Sequence, residues 1–261
     1  MNRKSHFIFL FLICFYINNI EAVVVISFGG CCTVATVLRE LGLRKSAYPF
    51  DWMLSIEFNG VYEAIKDDFQ KFLDPATLKI SNAKRTVENK YGCEFVHDFP
   101  TIYHSAALTD ADTHEWNEIR ADWRDFIEPI HQKYARRIER LKNALSGSDH
   151  VVLIRYSTLA TDRDTFIKLR NLLIERYPNL SFTILAVCSV PEQFVEWNLE
   201  RIKNFSVPYA TSEFWPGWKR IFNLLGINQN TVRYVEEEYD DKDDCICNEA
   251  CHHNWALKRK D

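Results

Sequence analysis

The sequence has little net charge, no low-complexity segment and no internal repeat. Its 32 Lys and Arg residues are scattered among 36 Asp and Glu residues, which gives a formal net charge of -4. A protein that binds nucleic acid usually carries a basic patch or stripe, so nucleic acid is not an expected partner. No linker divides the chain, and 47% of its 261 residues are hydrophobic, enough to build the core of one large domain.

The apolar run near the N-terminus is short for a membrane span. It covers Phe7 to Ile17, whereas a transmembrane helix needs roughly 20 residues. Two basic residues precede the run and a polar stretch follows it, so residues 1–22 are predicted to be a cleaved signal peptide, with an uncleaved anchor as the alternative. We therefore expect a protein that is secreted or enters the lumen of the secretory pathway, without stable membrane insertion after cleavage.

An odd number of cysteines follows the predicted signal peptide: Cys31, Cys32, Cys93, Cys188, Cys245, Cys247 and Cys251. In an oxidising compartment at least one of the seven thiols would stay out of a disulfide and could be a nucleophile. The last three lie close to two histidines but lack the longer loop that separates ligand pairs in structural zinc sites. Disulfides are therefore the expectation for the tail, and a metal site is the alternative.

The hydrophobic pattern predicts an α/β fold with a parallel or mostly parallel sheet flanked by helices. Residues 22–28 are nearly continuous in Val and Ile, as in a strand buried on both faces, and a helical pattern starts at Thr33 after two glycines. Residues 150–156 and 180–188 predict two more buried strands with a helix between them. Strands that alternate with helices favour a parallel sheet covered on both sides.

Between these units the pattern predicts further elements. Residues 58–72 and 110–145 read as helical, the second with a kink or break at a proline, and residues 94–99 read as a short strand. We assign residues 23–235 to a single α/β domain. Residues 236–261 form an irregular C-terminal tail that is acidic and rich in Cys and His.

Cys32 stands at the start of the first predicted helix, directly after Gly29, Gly30 and Cys31. Unpaired N–H groups and the positive end of the helix dipole favour a thiolate there, and the same N–H groups could hold an oxyanion. One alternative is a purely structural turn in which either cysteine is buried or forms a disulfide. Another is that Gly29 and Gly30 bind an anionic ligand, with Cys32 incidental.

An ordered set of motifs between Val23 and Cys188 resembles a family of papain-like cysteine peptidases, a bacterial-type domain of unknown function. The motifs are "SFGGCCTVA" at 27–35, "LR" at 38–39 with "GLR" at 42–44, "PFDW" at 49–52, and "FVHDF" at 95–99. The resemblance implies that Cys32 is the family's cysteine and His97 its histidine, with Asp51 and Asp98 in the accompanying acidic positions. Cys31 falls where the family varies.

His97 is the candidate base, because an activated cysteine needs a proton acceptor within reach. On a regular strand over residues 94–99, His97 and Asp98 would project to opposite faces, so Asp51 in the "PFDW" loop is the better partner for the imidazole. Loops at the carboxyl ends of strands are where open α/β sheets bind ligands, which makes Trp52 a candidate ligand contact. The alternative is that the loop's aromatic residues are core and Asp51 only caps the turn.

Together these features predict a secreted thiol hydrolase that needs no cofactor and no metal. Cys32 would attack the acyl centre of a peptide or other acyl substrate, and His97 would serve as general base and acid. Two other classes stay open: an α/β domain that binds a phosphate or sugar nucleotide, and a non-catalytic secreted interaction protein.

Overall fold

The computed structural model describes residues 22–107, 113–158, 162–190 and 194–234. Nearly all of the predicted signal peptide and the whole predicted tail at 236–261 lie outside the described residues, together with the three tail cysteines.

Ten strands and five α-helices lie in the described ranges. The strands are β1 (Val23–Ser27), β2 (Met53–Leu54), β3 (Lys79–Ile80), β4 (Val87–Glu88), β5 (Glu94–Phe95), β6 (Thr101–Ala107), β7 (Thr113–Ile119), β8 (His150–Ser157), β9 (Phe182–Cys188) and β10 (Ile202–Ser206). The helices are α1 (Thr33–Glu40), α2 (Phe58–Lys66), α3 (Ile127–Ser146), α4 (Arg163–Arg176) and α5 (Phe214–Leu224). A 3-10 turn at Trp123–Phe126 leads into α3.

The main sheet is a four-stranded parallel sheet in the order β1-β8-β9-β10. Its register is continuous: Ile26 on β1 lies beside Leu153 on β8, and Leu153 lies beside Ile184 on β9. Each of these three side chains is almost fully buried. The Val- and Ile-rich runs therefore form strands covered on both faces, as the sequence predicts.

Helices cover both faces of this sheet. On one face, Val24 and Ile26 of β1 belong to a core cluster that also contains side chains of α2, α3 and α4. On the other face, Val25 packs with α1 and α5. Because successive strand residues point to opposite faces, one strand contributes to both clusters. The predicted α/β class, with a parallel sheet flanked by helices, is confirmed.

The segment between α2 and α3 departs from the pattern-based expectations. It holds three strands of a small antiparallel sheet with the order β2-β5-β4-β3, to which β2 is added from before α2, and the hairpin of β6 and β7. Residues 113–119 are strand and not helix, because they pair along their whole length with 101–107. The helix starts only at Ile127, and Pro129 lies in its first turn, where a missing N–H breaks no helical hydrogen bond.

Two more predicted elements are shorter than expected. The predicted helix over 58–72 ends at Lys66, because Asp68 and Phe69 adopt left-handed backbone with φ of 57° and 63°. The predicted strand over 94–99 ends at Phe95, and His97 and Asp98 lie in the bend that follows it. The prediction that His97 and Asp98 project to opposite faces of a strand is therefore wrong, since it requires extended strand geometry at both residues.

None of the helices in the described ranges has the length and apolar character needed to cross a lipid bilayer.

Candidate active site

The turn that carries the two cysteines continues from β1 along the edge of β8. Phe28 N–H donates to the carbonyl of Ile154 at 2.7 Å, and Tyr156 N–H donates to Gly29 O at 3.4 Å. Gly30 has φ of +104°, and a Cβ built on it would lie only 1.9 Å from Tyr156 O. A glycine is therefore needed at 30 so that the turn can lie against the backbone of β8. A ligand-binding role for Gly29 and Gly30 stays a prediction.

A buried arginine supports the same turn from the other side. Ser55 exchanges two hydrogen bonds with Gly30, each 3.1 Å long: its N–H donates to Gly30 O, and its Oγ accepts from Gly30 N–H. Arg155 is only 2% exposed and donates to Ser55 Oγ at 2.7 Å, to Ser55 O, to Phe28 O at 3.1 Å and to Ile56 O at 3.0 Å. Burial lowers the pKa of Arg155 to about 10, so the guanidinium keeps its charge at neutral pH. The positive charge of Arg155 thus lies beneath the turn, and all four oxygens that accept its hydrogen bonds are neutral.

Cys32 is the N-cap residue of α1, as the sequence predicts. Its carbonyl accepts from Thr36 N–H at 2.9 Å, and no side-chain hydrogen bond caps the helix. The N–H groups of the first helical turn have no partner within a helix, because the residues that would accept from them precede it. The start of α1 therefore presents backbone donors and a partial positive charge next to the Cys32 thiol.

The two adjacent cysteines enter different surroundings. Cys32 packs against a small cluster of Ala35, Ala47 and Trp52. Cys31 packs against the core cluster of the α1 and α5 face, and its Sγ lies 2.8 Å from the hydroxyl of Thr33. Both are partly exposed. Only Cys32 thus shares a cluster with the "PFDW" loop.

The four cysteines in the described ranges, Cys31, Cys32, Cys93 and Cys188, form no disulfide. Cys93 and Cys188 are buried, and burial raises the pKa of the Cys93 thiol to about 12. Cys93 is therefore a poor nucleophile, since the reactive form of cysteine is the thiolate. The expected disulfides of the tail involve cysteines outside the described residues.

The "PFDW" loop is anchored by a buried carboxylate. Asp51 is fully buried, accepts from Tyr48 N–H at 2.6 Å and forms an ion pair with the buried guanidinium of Arg44. Phe50 lies in the core, with its ring 5.8 Å from the ring of Phe28. These contacts fit the alternative in which Asp51 closes the turn, and its role beside His97 stays a prediction.

Trp52 links the cysteine to the histidine. Its indole belongs to the cluster against which Cys32 packs, and its ring lies edge-on to the imidazole of His97, with centroids 6.4 Å apart and planes at 74°. The guanidinium groups of Arg39 and Arg44 lie over the indole, 5.4 and 5.3 Å from its centroid. The predicted loop residue Trp52 is thus buried at 5% exposure and brings the Cys32 and His97 segments together.

Asp98 ties the His97 segment to α3. Its side chain is 2% exposed, Tyr134 Oη donates to Oδ2 at 2.9 Å, and Lys133 Nζ lies 3.0 Å from Oδ1. Burial and the Asp98 carboxylate raise the pKa of Tyr134, which keeps this hydroxyl a donor. Both oxygens of Asp98 are therefore engaged by α3, and Asp98 holds the bend that carries His97.

Two tyrosines that no sequence motif indicates lie on the α1 and α5 face of the main sheet. Tyr156 lies on β8 beside Gly30, and its hydroxyl donates to Val207 O at 3.3 Å. Tyr209 follows β10, and its ring lies 6.4 Å from that of Tyr156. Burial raises the pKa of Tyr209, and negative charge on the sulfurs of Cys31 and Cys32 acts in the same direction. The sequence carries no signal for Tyr209, because its residue pattern does not predict the strand β10 that precedes it.

A protein-family model described as "Putative papain-like cysteine peptidase" matches residues 23–190. The chain belongs to this family. The match runs from the start of β1 to beyond the end of β9 and contains Cys32, Trp52 and His97. The resemblance predicted from the motifs is confirmed, while Tyr209 and α5 lie C-terminal to the matched segment.

A further relative comes from a giant virus. An uncharacterised protein of Acanthamoeba polyphaga mimivirus is 26% identical to this chain, in a match that covers 75% of the chain and 92% of the viral protein. No solved structure matches the chain at a significant level. Membership of the family is thus established by sequence similarity, and no solved relative supplies a geometry with which to compare this site.

The described residues do not assemble a set of metal ligands around this candidate site. In the part of the chain that the structure describes, no three His, Cys, Asp or Glu side chains come together as a group that could hold a metal ion. The chemistry that the described residues can support is that of a thiol, an imidazole, hydroxyl groups and backbone N–H donors.

Proposed function

We propose that this member of the papain-like cysteine peptidase family is a thiol hydrolase in which Cys32 is the nucleophile and His97 is the general base and acid. The observation that carries the proposal is the position of Trp52, which shares a cluster with Cys32 and contacts the ring of His97. A thiol and an imidazole held by one rigid aromatic residue are the two groups that acyl transfer through a cysteine requires.

The reaction would run in two steps. Cys32 passes its proton to His97, the thiolate attacks the acyl carbon, and the carbonyl electron pair moves onto oxygen, where the N–H groups at the start of α1 stabilise it. The electron pair then returns, the bond to the leaving amine or alcohol breaks, and His97 donates the proton to that group. In the second step His97 takes a proton from water as the water oxygen attacks the acyl carbon; the C–S bond then breaks, the carboxylic acid leaves, and the proton returns from His97 to the Cys32 sulfur.

Positive charge near the turn supports a thiolate at Cys32. Arg155 lies buried beneath Gly30, and Arg39 lies over the indole that belongs to the Cys32 cluster, as does Arg44, whose charge is paired with that of Asp51. Cations and a helix N-terminus lower the pKa of a neighbouring thiol, which is how catalytic cysteines are activated.

We assign Asp51 and Asp98 positioning roles within this proposal. Asp51 closes the turn that carries Trp52, and Asp98 fastens the bend that carries His97 to α3. Each carboxylate would act through the segment it holds. Secretion is a further part of the proposal, supported by the signal-like residues 1–22, and N-terminal sequencing of protein recovered from culture medium tests it.

Alkylation of the folded full chain with iodoacetamide across pH tests the assignment of Cys32. We expect Cys32 to react at pH 6–7 with an apparent pKa below the free-thiol value of about 8.5, as mapped to the residue by mass spectrometry. His97→Gln should shift the alkylation profile of Cys32 to higher pH, because the thiol then loses its base. Cys31→Ser is the matched control and should leave the profile unchanged.

Acylation by p-nitrophenyl acetate provides the second readout. Cys32→Ser should abolish the rapid release of nitrophenolate that the wild-type chain gives. If Cys32 alkylates like a free thiol, or if Cys32→Ser acylates as fast as the wild type, the hydrolase proposal is wrong. Binding of inorganic phosphate that survives Cys32→Ser, without any acylation of the wild type, would favour the anion-binding alternative.

A further inference from the structure

A groove of about 700 Å³ lies between α3 and the loop that follows α2. The loop lines it with residues 68–75, and α3 lines it with side chains between Ile127 and Lys142. The lining positions of α3 recur every three or four residues, so they lie on one face of the helix. The volume is in the range of sites that bind ligands, and no site residue predicted from the sequence lines this groove.

The floor of the groove is mainly aromatic and apolar. Four buried side chains line it: Phe69, Phe72, Leu73 and Tyr134. The rings of Phe72 and Tyr134 lie 5.7 Å apart and join the loop to the helix. Ala135 on α3 also lines the groove and is exposed, so the groove is open to solvent. A ligand with apolar side chains could therefore bury them on this floor.

Two contacts fasten the loop to the α3 side of the groove. Lys142 Nζ lies 2.7 Å from Asp68 Oδ2, and Arg124 in the 3-10 turn before α3 donates to Pro75 O at 3.2 Å. The loop is thus held at both of its ends, which makes the groove a fixed feature of the fold.

Negative charge predominates in the lining of the groove. Four carboxylates line it, whereas the lining residues in the described ranges include one lysine and no arginine. Two of the carboxylates have cationic partners: Asp68 pairs with Lys142, and Asp74 lies 3.6 Å from the ammonium group of Lys71. The lining also contains His131, and even its protonated form leaves the groove negative.

The other two carboxylates, Glu128 and Glu139, are available to a ligand. Within the described part of the chain neither forms an ion pair, and Glu128 accepts a hydrogen bond from the neutral amide of Gln132 at 2.9 Å. They are three helical turns apart on one face of α3, a distance of about 16 Å. An extended polypeptide covers this distance with about five residues. The groove therefore offers two negative charges at a spacing that basic side chains of one peptide can match.

We propose that this groove binds a segment of a partner polypeptide in which apolar side chains alternate with Lys or Arg. The apolar side chains cover the floor, and the basic side chains pair with Glu128 and Glu139. The negative lining disfavours a nucleic acid or an anionic lipid surface as the occupant. The proposal involves no reaction and does not depend on the role of Cys32, so it and the proposed function can fail separately.

A synthetic peptide of about seven residues, in which lysines alternate with leucines, is the probe. Its binding to the full-length chain is followed by the fluorescence anisotropy of an attached fluorescein. We expect saturable binding of one peptide per chain that weakens as the salt concentration rises, because salt screens exposed charges. A peptide with serine in place of each leucine should bind at least about tenfold more weakly, because it buries no apolar side chain on the floor.

Two tryptophan substitutions test whether the peptide lies in the groove. Ala135→Trp fills the groove from an exposed position of α3 and should abolish binding. Asn143→Trp is the matched control, because Asn143 is an exposed residue of α3 that does not line the groove. This control should bind the peptide as the wild type does, and circular dichroism checks that both variants are folded.

A pair of double variants tests the charges. Glu128→Gln combined with Glu139→Gln should weaken binding by about tenfold, the effect of two exposed ion pairs, and should reduce its salt dependence. Glu175→Gln combined with Glu200→Gln removes two exposed carboxylates outside the groove and should leave binding unchanged.

Four results would overturn the proposal. Folded Ala135→Trp that binds like the wild type would place the peptide elsewhere, and equal binding of the serine peptide would mean that charge alone attracts it. Wild-type affinity in the Glu128 and Glu139 double variant would remove the role of the rim, also if Ala135→Trp does not fold. Self-association of the wild type that Ala135→Trp abolishes, seen by sedimentation velocity, would make a second copy of the chain the occupant.

Discussion

Replacing Gly30 with alanine tests how the cysteine turn is built. Gly30 has φ of +104°, and a Cβ there would lie 1.9 Å from Tyr156 O, a backbone atom that cannot rotate away. The backbone conformation costs an alanine roughly 1–3 kcal/mol, and overpacking typically adds about 1–3 kcal/mol. We therefore expect Gly30→Ala to lower the free energy of unfolding by about 2–6 kcal/mol, a large share of the roughly 5–15 kcal/mol that stabilises a domain.

Gly226 offers a matched control for this substitution. It also has a positive φ, +68°, but a Cβ there would meet nothing within 4 Å. Gly226→Ala should therefore lose only about 1–2 kcal/mol, the cost of left-handed backbone alone. Urea unfolding followed by tryptophan fluorescence measures both values. Equal losses in the two variants would refute the argument that Gly30 is required by its contact with β8.

The same substitution connects the fold to the site. Tyr156 is held in the ladder of the main sheet, so the turn is the part that must move away from an added Cβ. Cys32 in the folded Gly30→Ala variant should then be alkylated more slowly than in the wild type at neutral pH, because the thiol leaves its place at the start of α1. Iodoacetamide labelling under conditions where the variant is folded measures this change.

Three other substitutions test the surroundings of the site and one helix cap. Arg155→Met should lower the free energy of unfolding by at least about 2 kcal/mol, because buried carbonyl groups lose their donor; urea unfolding measures it. Asp51→Asn should cost about 3–5 kcal/mol, because it leaves the buried charge of Arg44 without its carboxylate, and the loss should appear in the same assay. Asp162 caps α4 by accepting hydrogen bonds from the N–H groups of Asp164 and Thr165. The hydrogen bond from the Thr165 hydroxyl has the largest effect on the pKa of Asp162, and together with the two N–H bonds it lowers that pKa. A carboxylate whose pKa is lowered by folding stabilises the fold at pH above its unfolded pKa of about 3.9, and it loses this effect as the pH falls through the folded pKa. Asp162→Ala should therefore lower the free energy of unfolding by about 1 kcal/mol at pH 7 and by less in acid.

These three predictions fail in distinct ways. An Arg155→Met chain as stable as the wild type would mean that water or another donor serves the same carbonyl groups. An Asp51→Asn chain within about 1 kcal/mol of the wild type would mean that Arg44 draws its stability from elsewhere. A loss in Asp162→Ala that stays constant from pH 7 to pH 3 would show that the carboxylate charge contributes nothing to the cap.

Local pattern was sufficient for the elements that build the main sheet. Three of its four strands are Val- and Ile-rich runs, and such runs are typical of strands buried on both faces. The fourth strand, β10, is not predicted by its residue pattern. Only one of its five residues is buried, so the strand lacks the continuous apolar run of the other three. The strand β7 was mistaken for helix, since its polar residues owe their conformation to pairing with β6.

The candidate site also combines features that local sequence determines with features that depend on the tertiary structure. The sequence by itself determined that a cysteine follows a glycine turn at the start of a helix, because helix starts and glycine turns depend on neighbouring residues. It also determined the family, whose model matches residues 23–190. Only the tertiary structure decided that Trp52 joins the Cys32 cluster to His97. This contact joins residues far apart in the chain, and it arises because β2 and β5 pair antiparallel, with Met53 opposite Phe95, which brings Trp52 and His97 to the same end of the small sheet.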